Sequence, residues 1–115
     1  MTLQEIADLL AAEILVGANQ MQKEVTTAFG ADMMSDLLAF GKAGGLLLTR
    51  MATAQVIRTS EILDLGAIIM VRGKVPSPEV LQLAEELQVP ILATEVPQFE
   101  ASGILYAVGL RGSID

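Results

Sequence analysis

The chain lacks cysteine and histidine, and both absences exclude common catalytic and metal-binding chemistry. Without cysteine there can be no disulfide, no thiol nucleophile and no iron–sulfur cluster. Without histidine, imidazole acid–base catalysis and typical zinc sites are excluded as well. The carboxylates are not spaced like those of an ion-binding loop. We therefore expect neither an enzyme nor a bound cofactor or metal.

Basic and aromatic residues are scarce. Seven lysine and arginine residues stand against 14 aspartate and glutamate residues, which gives a net charge of −7, and aromatic residues make up 3% of the chain. Nucleic acids and anionic membranes repel such a chain, and few aromatic rings are present on which bases could stack. We expect the partner to be neither a nucleic acid nor a membrane.

Long apolar runs are missing too. The longest uncharged stretch near the C terminus, residues 101–110, is about half of the roughly 20 residues that cross a bilayer. The chain begins with an acidic amphipathic pattern rather than with basic residues and an apolar core. A signal peptide has the opposite pattern, so we expect a cytoplasmic location.

Apolar residues are abundant in this short chain. Hydrophobic residues make up 52% of its 115 residues, and the mean hydropathy is +0.54. The length fits a single domain over residues 1–115. A parallel sheet covered on both faces is apolar almost throughout, and apolar surface can also be buried against a second copy. We expect both to contribute, and we predict a homodimer.

The first third of the chain predicts two helices and two strands. Thr2 and Glu5 fit a capping box at the start of the first helix. Short apolar runs predict strands at residues 14–16 and 25–29. Asp32 can cap the helix that follows the second strand.

The remaining two thirds repeat a strand-then-helix plan three times. Strands are predicted at residues 46–48, 67–71 and 91–93, and helices at 52–63, 77–87 and 97–108. Alternating strands and helices predict a parallel sheet with right-handed crossovers. We predict an α/β fold, a three-layer α/β/α sandwich around a mostly parallel sheet of about five strands. Gly66 lies where the helix before it has to stop.

Ligands of open parallel sheets bind beyond the carboxyl ends of the strands. Three of the seven basic residues fall in loops at that predicted edge. Two threonines add hydroxyl groups there, and a glycine allows close backbone approach. The site would hold an anionic small molecule, a phosphate or a nucleotide. Its predicted residues are Thr49, Arg50, Arg72, Gly73, Lys74 and Thr94.

A structural explanation of the same residues stays open. Loops carry charged residues because they are exposed to solvent. Arg50 or Arg72 could also pair with Glu95, Glu79 or a neighbouring subunit. The phosphate-binding patterns GxGxxG and GxxxxGK[ST] are both missing from the sequence.

Other polar and aromatic residues have simpler explanations. Asp32, Asp36 and Glu95 lie where helix dipoles attract acids, so we do not assign them to catalysis. Methionines 33, 34 and 51 suit a core or an interface. The last helix contributes mainly to the core through Phe99, Ile104, Leu105 and Tyr106, with Tyr106 reaching towards a subunit boundary.

The order of residues in the second half resembles the DRTGG domain family. The resemblance rests on Leu48-Thr49, on Val56-Ile57-Arg58-Thr59, on Ala67 to Gly73, on Pro76 to Ala84 and on Val89 to Leu92. Thr49-Arg50-Met51 stands where the family has its Asp-Arg pair. Of the Thr-Gly-Gly element, only Gly73 is present.

The resemblance implies an α/β/α sandwich like the N-terminal domain of HPr kinase. It also implies self-association, and for stand-alone members a link to hydrogenase or electron-transfer subunits. Our first hypothesis is a non-catalytic regulatory or adaptor domain that acts as a homodimer. The second is a sensor of an anionic nucleotide or phosphate at the sheet edge. A phosphoryl-transfer enzyme ranks last, since the kinase domain of HPr kinase has no counterpart here.

Overall fold

A computed structural model describes residues 1–113, and within them the chain forms an α/β sandwich around one sheet. The sheet contains six strands in the order β1-β5-β4-β3-β2-β6. β2 to β6 run parallel to their neighbours, and β1 pairs with β5 in antiparallel fashion. The strands are β1 (Glu13–Val16), β2 (Thr27–Gly30), β3 (Leu46–Thr49), β4 (Ala67–Met70), β5 (Ile91–Ala93) and β6 (Arg111–Gly112).

Five α-helices cover the two faces of the sheet within the described range. They are α1 (Leu3–Leu9), α2 (Met34–Phe40), α3 (Ala54–Ile62), α4 (Pro78–Leu87) and α5 (Gln98–Ala107). A short 3₁₀ helix, Ala18–Gln20, follows β1. None of these helices of residues 1–113 has the length and apolar character that crossing a membrane requires.

The core consists of two apolar clusters, one on each face of the sheet. Leu46, Leu48 and Ile69 pack towards α1 and α5. Leu47 and Ile68 point to the other face, against α3 and α4. Side chains alternate across a strand, so the uninterrupted apolar runs of β3 and β4 are buried on both sides. The predicted three-layer α/β/α sandwich with a mostly parallel sheet is confirmed.

Helix starts follow the capping residues of the sequence. Thr2 and Glu5 form the predicted capping box of α1. Hydrogen bonds that Glu5 accepts from the backbone and hydroxyl of Thr2 hold the pKa of this carboxyl below its usual value. Ser77 caps α4 through the backbone N–H of Val80. These local contacts set where the crossover helices begin.

Asp32 does not cap α2, and that prediction is wrong. The residue at the N-cap position is Met33, whose side chain accepts no hydrogen bond. The Asp32 carboxylate instead accepts hydrogen bonds from the Thr49 hydroxyl at 3.1 Å and the Arg50 N–H at 2.9 Å. Asp32 therefore ties the end of β2 to the end of β3.

Two further differences concern the ends of elements. The left-handed residue after α3 is Asp64 with φ 56°, so Gly66 is not the residue that ends this helix. The two-residue strand β6 extends the sheet beyond the predicted five strands. It pairs with β2, which lies more than 80 residues earlier in the chain. No local sequence pattern predicts β6.

Candidate functional site

The predicted anion-site residues lie at one edge of the sheet. Because β2, β3, β4 and β5 are parallel, their carboxyl ends meet at this edge. Thr49 ends β3, and Thr94 follows β5 directly. Between them in the sheet, Arg72 and Gly73 follow the end of β4. The topology thus brings the three loops side by side.

The two threonine hydroxyls at this edge are already engaged by the protein. Thr49 Oγ1 donates to Asp32 and accepts from the Met51 N–H at 2.9 Å. Thr94 Oγ1 donates to the carbonyl of Leu10 at 2.6 Å and accepts from the Val96 N–H at 3.1 Å. Both side chains are buried. Their hydroxyls fasten the loops to neighbouring segments.

The turn after β4 is closed by its own backbone. Arg72 and Gly73 have φ values of 51° and 73°, as a type I′ turn requires of its two central residues. The N–H groups of Arg72 and Gly73 donate to Val96 and Thr94, at 3.1 and 3.0 Å. The Lys74 N–H donates to Val71 at 3.2 Å. The N–H groups of Arg72 and Gly73 therefore connect the β4 loop to the β5 loop, and the N–H of Lys74 closes the turn itself.

Gly73 allows a close approach of Glu95. A Cβ built at this position would lie 2.8 Å from Glu95 Oε2. The glycine therefore leaves room for a side chain of the same protein.

Three of the predicted anion-site residues have cationic side chains. Arg50 and Arg72 are exposed and Lys74 is half-buried. Among residues 1–113, none of the three has a carboxylate oxygen within 4.0 Å of its charged nitrogens. In the described part of the chain, the ion pair joins the N-terminal amine of Met1 to Glu24 at 2.6 Å. The open alternative, pairing of the arginines with Glu79 or Glu95, is thus not realised within the single chain.

A cleft of about 220 Å³ opens beside the end of β5. Gly73 and Thr94 line it, together with the carboxylates of Glu13 and Glu95. The cleft is therefore acidic, which disfavours an anion inside it. An anion held by the three cations would lie over the exposed loops instead.

A second concave site lies on the face covered by α5. A groove of about 290 Å³, called the α5 groove below, runs between α5 and the neighbouring strands β2 and β6. Phe29, Leu48, Ser102, Tyr106, Leu110 and Arg111 are among its lining residues. The Arg111 guanidinium carbon lies 4.0 Å from the centroid of the Tyr106 ring.

Sequence reasoning missed the α5 groove because it placed the aromatic residues of the last helix in the core. Leu105 is buried as predicted, but Phe99 is 84% exposed and Tyr106 is 60% exposed, so the core prediction is wrong for these two. One local signal was available. An arginine just beyond a helix can bond the last carbonyls of that helix, and Arg111 follows α5 closely.

Comparison with known proteins gives a family and a fold. The DRTGG domain model matches residues 5–108. A similar fold occurs in the crystal structure of the CBS and DRTGG domains of the regulatory region of Clostridium perfringens pyrophosphatase, complexed with its activator diadenosine tetraphosphate. The two share 23% identity with a TM-score of 0.74, over 90% of this chain and 45% of that one. This chain thus spans less than half of that structure. No curated protein matches the sequence.

Proposed function

The chain belongs to the DRTGG domain family, and on that basis we propose that it is a cytoplasmic, non-catalytic regulatory domain that acts as a homodimer. The observation that carries the dimer is the apolar surface left exposed. Nine large apolar side chains of residues 1–113 are more than a third exposed. A contiguous patch of such residues on a small domain is typical of an association surface.

Five of these nine side chains belong to α2, its N-cap residue and α5, which flank the β6 edge on opposite faces of the sheet. We call them the edge surface: Met33, Leu38, Phe40, Phe99 and Tyr106. Contacts with residues in and just after β6 hold both helices there. Ser113 Oγ donates to the Phe40 carbonyl at 2.7 Å, and Arg111 lies over the Tyr106 ring.

The low charge of the edge surface suits it to be the contact between two copies. Each copy carries a net charge of −7, so two copies repel one another unless they meet where few acids lie. α2 contains one charged residue, Asp36, and α5 contains one, Glu100. An isologous contact through these helices would cover apolar area at a small electrostatic cost.

Charged substitutions on the edge surface test the dimer. At tens of micromolar, light scattering is expected to give twice the 12.2 kDa mass of one chain. Leu38→Glu combined with Phe99→Glu is expected to give monomers, because four added charges per dimer would have to be buried unpaired. Val75→Glu is the control, since Val75 is 56% exposed and lies beside β1 and β5, at the opposite side of the sheet from β6. A monomeric parent chain, or a double variant that still dimerises, contradicts the proposal.

Hydrogenase or electron-transfer subunits are the protein partners we propose for this dimer. The support is membership of the DRTGG family, together with the link that the sequence resemblance implies for members of this family. Mixing the chain with a purified subunit of this kind should give co-elution at micromolar concentrations. Separate elution of both proteins contradicts this part of the proposal and leaves the dimer unaffected.

A second candidate function is an anion sensor at the carboxyl edge. Its support is the group of Arg50, Arg72 and Lys74, three cations without a carboxylate partner among residues 1–113 of an acidic chain. The neighbouring structure contains a regulatory region complexed with a dinucleotide activator, diadenosine tetraphosphate. A small-molecule ligand of the same chemical class is consistent with two exposed arginines and a half-buried lysine.

Thermal unfolding in the presence of ATP, diadenosine tetraphosphate or inorganic phosphate tests the sensor. A ligand at 100 times its Kd should stabilise the chain by about 2.7 kcal/mol. Arg72→Ala should weaken binding by about tenfold, the effect of one charge-assisted hydrogen bond. Arg58→Ala, on the exposed side of α3, is the control and should change nothing. No stabilisation by any of the three ligands, or equal binding by Arg72→Ala, refutes the sensor.

A further inference from the structure

The α5 groove is small and largely apolar. Its volume of about 290 Å³ lies at the lower end of the roughly 300–1,000 Å³ typical of ligand pockets. Leu48, Leu105 and Leu110 are buried beneath it. Such walls suit the hydrocarbon part of a ligand.

One cation stands at this groove, and the protein fixes its position. Arg111 Nη1 donates to the carbonyls of Tyr106 and Leu110, both at 3.0 Å. The guanidinium also stacks on the Tyr106 ring. These contacts orient the planar group before any ligand arrives, so binding would lose little side-chain entropy.

Part of the guanidinium is left to bind something else. Both hydrogen bonds use Nη1, and within residues 1–113 no further hydrogen bond or carboxylate engages Nη2 or Nε. Two parallel N–H groups of an arginine match the two oxygens of a carboxylate. Of the residues that line this groove, Arg111 alone carries a formal charge.

We propose that the α5 groove binds a small organic carboxylate, with its apolar body against Leu48 and Leu110 and its carboxylate on Arg111. Charge complementarity selects the head group, and the apolar walls and small volume select the body. The site lies on a different part of the fold from the three cations of the carboxyl edge. Binding at the α5 groove can therefore be tested independently of nucleotide binding at the carboxyl edge.

Amide chemical shifts of the full chain, measured during titration, provide the test. The probes are 3-phenylpropionate and hexanoate, and the corresponding neutral alcohols are matched controls. Both acids are expected to shift the amides of Ser102, Arg111 and Gly112. The alcohols should bind about tenfold more weakly, because they lack the charge that Arg111 recognises. Inorganic phosphate, which has no apolar body, should leave these amides unmoved.

Two variants locate the site, and one serves as a control. Arg111→Ala should weaken the binding of both acids by about tenfold or more, whereas Arg58→Ala should leave it unchanged. Loss of the Arg111 contacts can loosen the end of α5. Ser102→Leu therefore provides a second variant, which fills the groove and keeps the guanidinium, and it should abolish binding.

Several results would overturn the carboxylate site. They are equal binding of acids and alcohols, unchanged binding by Arg111→Ala, and no shift of the groove amides with either acid. Groove amides that move with protein concentration and then no longer respond to either acid would show that a second copy fills the groove. That result would also overturn the carboxylate site, while it would agree with the homodimer.

Discussion

Replacing Thr94 with valine is expected to lower the free energy of unfolding by about 2–4 kcal/mol. Valine keeps the shape of the side chain and removes its hydroxyl. The Leu10 carbonyl then loses the donor that lies 2.6 Å away, and the Val96 N–H loses its acceptor. Leu10 caps the C-terminal end of α1, where carbonyls lack partners within the helix. Each polar group left unpaired in the interior costs about 1–3 kcal/mol.

Urea unfolding at fixed protein concentration measures this effect, with Thr59→Val as the control. Thr59 lies on α3, and its hydroxyl makes no hydrogen bond to any residue of 1–113. The control should therefore change stability by less than about 0.5 kcal/mol. A Thr94→Val protein as stable as the parent would mean that the hydroxyl does not fasten α1 to β5. Thr94 would then be free to contact a ligand, as the sequence alone suggested.

Strand positions could be predicted where strands are buried on both faces. The predicted strand at residues 91–93 coincides with β5, and β3 and β4 differ from prediction by one residue each. Continuous apolar runs between turn residues are a local signal, and such signals are readable in sequence. β6 carries no such signal, since its two residues belong to the sheet only through pairing with Thr27 and Ala28.

The candidate site could be predicted in its placement but not in its bonding. Parallel strands bring Thr49, Arg72 and Thr94 to one edge whatever their contacts are. Whether a hydroxyl is free depends on partners far along the chain, and the partner of Thr94 lies 84 residues away. The exposure of the Phe99 and Tyr106 side chains could not be predicted from the sequence either. α5 is apolar on most sides, so its sequence does not show which face turns towards the sheet.

Gly66→Ala is expected to destabilise the domain by about 3 kcal/mol through overpacking. A Cβ at this buried position would lie 2.7 Å from Val25 Cγ1 and 2.9 Å from the Gly44 carbonyl oxygen. The second contact is with backbone, which cannot move aside cheaply. The Gly66 N–H donates to the Gly45 carbonyl at 2.7 Å, and the Gly44 N–H donates to the backbone carbonyl of Asp64 at 2.8 Å. The loops before β3 and β4 are thus locked together at the point where the methyl group would enter.

Gly103→Ala is the matched control, and its effect should have the opposite sign. Gly103 lies within α5, and a Cβ there meets nothing within 4 Å. Alanine should therefore stabilise the domain by about 0.5–1 kcal/mol, because glycine loses more backbone entropy in a helix. If Gly66→Ala were harmless, the close contacts with Val25 and Gly44 would not constrain this position. A large loss at Gly66 with a gain at Gly103 would show that close packing of two loops, rather than helix termination, requires this glycine.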